Sequence, residues 1–157
     1  MFVQSSSNIV LCYNPPMLNK IINIFNNPSL TKYAPVITRI GMALVFLWFG
    51  FTQVTGPESW VSLIPEFITN ITHLSALTFV YINGGMEIIL GIFLILGIYT
   101  RVSALILALH LLAITADVGY NAIGIRDFGL TMATFSIFLS GPDFLSLDSK
   151  GQKSYLN

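Results

Sequence analysis

The sequence predicts an all-α integral membrane protein, a four-helix bundle preceded by an amphipathic segment lying at the membrane surface. Three observations carry that expectation. Of the 157 residues, 54% are hydrophobic and only 9% are charged, against about a quarter charged in an ordinary soluble domain. The apolar residues gather into four runs, each near the roughly 20 residues that a helix needs to cross a ~30 Å hydrocarbon core. The polar residues left over are too few to cover four buried helices in a soluble chain of this length.

The first run, "PVITRIGMALVFLWFGFTQVT" at residues 35–55, ends at the Gly-Pro turn of "TGPESW". The second, residues 75–99, closes on "GIYTR" and leads directly into the third, residues 101–119. "GYNAIGIRD" connects to the fourth, residues 126–141, which stops at a second Gly-Pro. The resulting domains are an N-terminal extension at 1–34, a four-span domain at 35–148 and a short tail at 149–157. Within the extension, "MLNKIINIFNN" sets Met17, Ile21, Ile24 and Phe25 on one helical face, the pattern of a helix lying in the interface. The first residues lack the basic region and apolar core of a secretory signal.

Net charge is zero, with 7 basic and 7 acidic side chains and no basic run, so no nucleic-acid partner is expected. A single cysteine, Cys12, rules out an in-chain disulfide, a CxxC pair and a cysteine-based zinc site. No metal-ligand spacing and no covalent cofactor attachment stand out. His73 and His110 fall at unlike depths, which argues against a pair of axial haem ligands. The basic residues set the orientation. Lys20, Lys32, Arg39, Arg101, Lys150 and Lys153 fall on one side and only Arg126 on the other. Both termini are therefore expected in the cytoplasm, with the chain in the cell membrane and Arg101 anchoring the turn between spans two and three.

Glu87 breaks the apolar pattern. It lies about 12 residues from either end of its run, roughly 18 Å along a helix and close to the midplane. A charge there costs at least about 2.5–3.5 kcal/mol, so Glu87 must face the bundle interior, find a partner or hold its proton. Val80, Asn83, Gly84, Glu87 and Gly91 share one face, and the glycines let a neighbouring helix come close. The third run aligns Ser103, His110 and Asp117, the first Arg39, Ala43, Phe46, Gly50 and Gln53, and the fourth Asp127, Thr131 and Thr134. Along antiparallel helices joined at Arg101, Glu87 and His110 differ in height by about 7.5 Å, which long side chains or one water can bridge. Two readings of these seams stand side by side. In one, Glu87 and His110 form a proton-handling or headgroup-binding pair, with Asp117, Arg126 and Asp127 at its outer mouth. In the other, the seams are a structural network that fixes helix register.

The pattern "NGGMEIILGIFLILGIYTRVSAL" resembles the DoxX family, whose members carry a Gly-x-x-Glu-x-x-x-Gly run followed by a Gly-x-x-Thr-Arg turn. Here those positions are Gly84, Glu87, Gly91, Gly97, Thr100 and Arg101. The ending "GPDFLSLD" resembles the family's close at Gly141, Pro142, Ser146, Leu147 and Asp148. The resemblance covers residues 36–148. It implies a four-helix membrane protein, with some members tied to quinone-linked oxidation of sulfur compounds or to membrane oxidoreductase assemblies. A quinone as cofactor and further membrane or peripheral subunits as partners follow from the resemblance alone. One position departs from it: Gln53 stands where family members often carry lysine. Beside a quinone-linked subunit, the sequence leaves open a non-enzymatic assembly subunit and, in an oligomer, a small transporter or proton path.

Overall fold

The computed structural model describes Met17, Ile22 and residues 28–154, and divides the chain into two units, Met1–Lys32 and Tyr33–Asn157. The interfacial segment expected at residues 17–27 lies outside the described residues apart from Met17 and Ile22. Helices are α1 (Pro28–Thr55), α2 (Glu58–Val61), α3 (Glu66–Thr72), α4 (Ala76–Leu96), α5 (Thr100–Val118), α6 (Ala122–Ser140) and α7 (Leu147–Ser154). No strand occurs among the described residues. Four helices are long and apolar enough to cross a membrane, Leu30–Thr55, Ala76–Leu96, Thr100–Val118 and Ala122–Ser140. This is a multi-pass membrane protein. Only 28% of each span is buried inside the chain, so most of each helix surface is left to the bilayer.

Local chemistry sets the ends of the spans. Ser75 accepts the Thr78 N–H through its hydroxyl and caps α4, which stops at Gly97 in the left-handed conformation. Asn121 accepts the N–H groups of Ile123 and Gly124 and starts α6. The fourth span therefore begins at Ala122, inside the stretch that reads as a connection in the sequence. The first helix likewise begins earlier than residue 35, because Pro35 sits within it. The short helices α2 and α3 bury no residue.

At one pole, three sequence motifs form a single clasp. Arg39, 2% exposed, forks onto Asp143, with Nε donating to Oδ2 at 2.6 Å and Nη2 to Oδ1 at 3.2 Å. Its Nη1 donates to the carbonyls of Leu94 and Ile95, which end α4. A cation there meets the negative end of the helix dipole as well as the carboxylate. Burial raises the Asp143 carboxyl, but the Arg39 hydrogen bond, the N–H groups of Leu145 and Ser146 and the Arg39 charge outweigh it and hold it below the usual carboxylate range. Two residues after Ser146, Asp148 accepts the N–H groups of Tyr99 and Thr100 at 3.0 and 2.8 Å and caps α5. That bond supports Tyr99, a non-glycine residue at φ 48°. Gly97 is required because a Cβ there would stand 2.4 Å from that of Ser146. Arg101 donates to the Phe138 carbonyl at 3.2 Å near the end of α6. The anchor expected at Arg101 is thus also a bond between α5 and α6.

Away from the clasp, α1 and α4 meet without side chains between them. A Cβ on Gly84 would lie 2.9 Å from the Gly50 carbonyl oxygen and 2.9 Å from Gln53 Cβ. A Cβ on Gly50 would lie 2.7 Å from the Gly84 oxygen. Glycines at both positions bring the two backbones together, and Gln53 reaches α4 as a result. Gly85, next to Gly84, has open space around it. The comparison of Gly84→Leu with Gly85→Leu is therefore decisive. Gly84→Leu should lower stability by about 1–3 kcal/mol or more, because the backbone oxygen cannot move aside. Gly85→Leu should change it little. Thermal unfolding in detergent measures both, and equal losses would contradict this packing.

Candidate functional site

Glu87 sits in the middle of α4 and is 4% exposed. Polar side chains from three helices surround its carboxylate. From α1, Gln53 Nε2 donates to Oε2 at 2.9 Å. From α4 itself, Asn83 Nδ2 lies 3.4 Å from Oε1 and donates at 2.7 Å to Gln53 Oε1. From α5, His110 Nε2 lies 3.2 Å from Oε1. The Gln53 amide is used at both ends, which fixes its orientation: its oxygen receives Asn83 and its nitrogen serves Glu87.

Each participant is placed by a local feature. Val80, Gly84, Glu87, Gly91 and Leu94 form the buried stripe of α4, at the spacing of three and four that keeps side chains on one helical face. Arg39, Ala43, Phe46 and Gln53 are buried along α1. Ser103 is buried on α5, and His110, one full heptad later, keeps 19% of its side chain exposed.

Of the outer-mouth residues, Arg126 and Asp127 come together, with Arg126 Nε donating to Asp127 Oδ1 at 2.8 Å. Asp117 is exposed and bonds to no described residue, because the α5 stripe drifts out of the bundle one heptad past His110. Arg101 belongs to the clasp, at the other end of α5 from Asp117. Arg39 lies on its expected seam, and its partner there is Asp143, which no seam in the sequence includes. The signal was an aspartate directly after the Gly-Pro that ends the last span, on the same side of the membrane as Arg39. The hydroxyls of Thr100 and Ser103 are buried and lack a partner among the described residues.

The amides of Gln53 and Asn83 donate N–H groups and keep them. The 3.2 Å contact between Glu87 Oε1 and His110 Nε2 is the one in the cluster whose donor depends on the histidine tautomer. Glutamine at position 53 leaves the carboxylate without the fixed cation that a lysine would supply, and His110 is the ring that reaches it from α5. His110 Nδ1 bonds to no described residue, and its partly exposed ring is where the cluster nears the bundle surface.

A family model described as DoxX matches residues 34–120. The chain belongs to the DoxX family. The match takes in the first three spans and the whole Gln53–Asn83–Glu87–His110 cluster of this DoxX protein, and it ends before α6 begins. No curated protein and no solved structure matches the chain. Among the described residues no three His, Cys, Asp or Glu side chains come together as metal ligands. A quinone, implied by the family resemblance, would meet a Glu87 whose two oxygens already have side-chain partners from the chain itself.

Proposed function

We propose that this DoxX protein is a membrane subunit of a quinone-linked oxidoreductase assembly, and that it contributes a proton-holding pair, Glu87 and His110, at mid-depth in the bilayer. The supporting observation is the 3.2 Å contact between Glu87 Oε1 and His110 Nε2, with the other ring nitrogen free of described partners. A quinone would supply the two-electron chemistry. The chain's own part is to hold one proton between Oε1 and Nε2 and to exclude water from it. In this reading Glu87 and His110 share the proton, and Gln53 and Asn83 position the carboxylate. A second reading, an assembly subunit with no chemistry of its own, is supported by the way Gln53, Asn83 and His110 seal Glu87 on three sides.

Glu87→Gln separates the two. It keeps size and hydrogen bonding but removes the titratable carboxyl. The proton-holding reading expects assembly with partner subunits to survive while turnover falls by about a hundredfold or more, the lower end of the range for losing a general acid or base. Full activity of this variant across a pH series would leave the assembly role as the better account.

We further propose that the protein resides in the cell membrane with both termini in the cytoplasm. This rests on the bias of basic residues, six to one between the two sides in the sequence order of the spans. In a Cys12→Ser background, a cysteine placed at Glu58 should react with an impermeant reagent added to intact cells, and one placed at Lys150 should not. The reverse labelling would overturn the orientation.

A further inference from the structure

Between α1 and α6 an apolar groove of about 380 Å³ opens sideways, lined by Leu44, Val45, Trp48, Phe49 and Leu130, with Arg126 as its one charged member. Arg126 has 56% of its side chain exposed, whereas Asp127, which accepts its Nε–H, has 8%. The aspartate engages one edge of the guanidinium. The two Nη groups, with four N–H donors between them, bond to no described residue.

Depth decides what those donors can meet. The 19 residues of α6 (Ala122–Ser140) make a helix of about 28 Å, close to the thickness of the hydrocarbon core. Arg126 is four residues in from Ala122, about 6 Å below that edge. A long side chain covers such a distance by reaching toward the headgroups. Leu130, one turn further along α6, is deeper, and so the groove extends from the cation into the apolar region. A planar fork of N–H donors at headgroup depth, above an apolar channel, is complementary to a phosphate carrying a hydrocarbon chain.

We infer that this groove is a phospholipid site: the phosphate pairs with the Nη edge of Arg126 and one acyl chain lies along Leu44, Trp48 and Leu130. Trp48, 69% exposed on the groove wall, gives the chain a flat apolar face. The site is separate from the Glu87 cluster and does not depend on any redox role.

Native mass spectrometry of the full-length protein in detergent tests this with two probes, phosphatidylglycerol and a diacylglycerol of the same chains that lacks phosphate. The wild type should retain one phosphatidylglycerol and hold the diacylglycerol roughly tenfold less, as expected for loss of a charge-assisted pair. Arg126→Gln combined with Asp127→Asn removes the cation without stranding a buried carboxylate, and should abolish the preference. Asp127→Asn alone removes the negative charge that competes with the phosphate for Arg126 and should tighten retention. Leu44→Trp fills the groove from its rim and should weaken both lipids while leaving Arg126 intact. Equal retention of the two lipids by the wild type, or unchanged phosphatidylglycerol on the double variant, would overturn the site. So would a lipid-free dimer in which a second copy covers the groove.

Discussion

A carboxyl group at the centre of a bilayer must be given partners by the protein itself, because no water is there to serve it. Glu87 is that group, and much of the bundle can be read as the means of surrounding it. Its oxygens need donors from more than one direction, so α1, α4 and α5 must all come near. Gly50 and Gly84 let α1 and α4 touch backbone to backbone, which puts Gln53 at 2.9 Å from Oε2. The tight turn after Gly97 makes α5 antiparallel to α4, which brings His110 to Oε1. Each of these features is weak alone. Their common requirement is a set of acceptors and donors that cannot be left unmatched in a low-dielectric interior.

The same constraint operates at the clasp, with the opposite charge. Arg39 is buried, and its donors are used on Asp143 and on the carbonyls that finish α4. The segment after α6 is thereby tied to α1 and α4, while Asp148 ties it to the start of α5. The clasp holds the helix ends in register at one face of the membrane, and the Glu87 cluster holds three helices deeper in. The apolar core around Phe46, Leu94, Leu107 and Ile137 joins the four spans, and the two polar knots add hydrogen bonds that lipid, which competes for apolar surface, cannot replace.

The four spans and the inward face of α4 were legible in the sequence because both rest on periodicity: long apolar runs, and Gly84, Glu87 and Gly91 at helical spacing. The 7.5 Å offset between Glu87 and His110 understated their closeness, since it ignores side-chain reach and the exact pitch of the turn. Gln53 was visible as a seam residue, but not as the group that orients Asn83 and Glu87 together, which depends on how closely α1 approaches. Asp143 was hidden because an acid in a short loop reads as solvated, and only the folded chain brings it beside Arg39, 104 residues away. Asp117 was drawn to the seam by heptad spacing, yet it is exposed. A straight helix of 3.6 residues per turn does not keep a seven-residue repeat on one line. Asn121, an N-cap within an apparent linker, shifted the start of the fourth span by one turn.

Glu87 and His110 are directly joined across α4 and α5, a contact that dipolar recoupling by solid-state NMR measures in a lipid bilayer. With ¹³C in the Glu87 carboxyl and ¹⁵N in the His110 ring, the Nε2 signal should dephase strongly, as the 3.2 Å contact to Oε1 requires. The Nδ1 signal should dephase far less. An Nε2 signal that shows no coupling to the carboxyl carbon would mean that the two helices do not share this site, and would contradict the account.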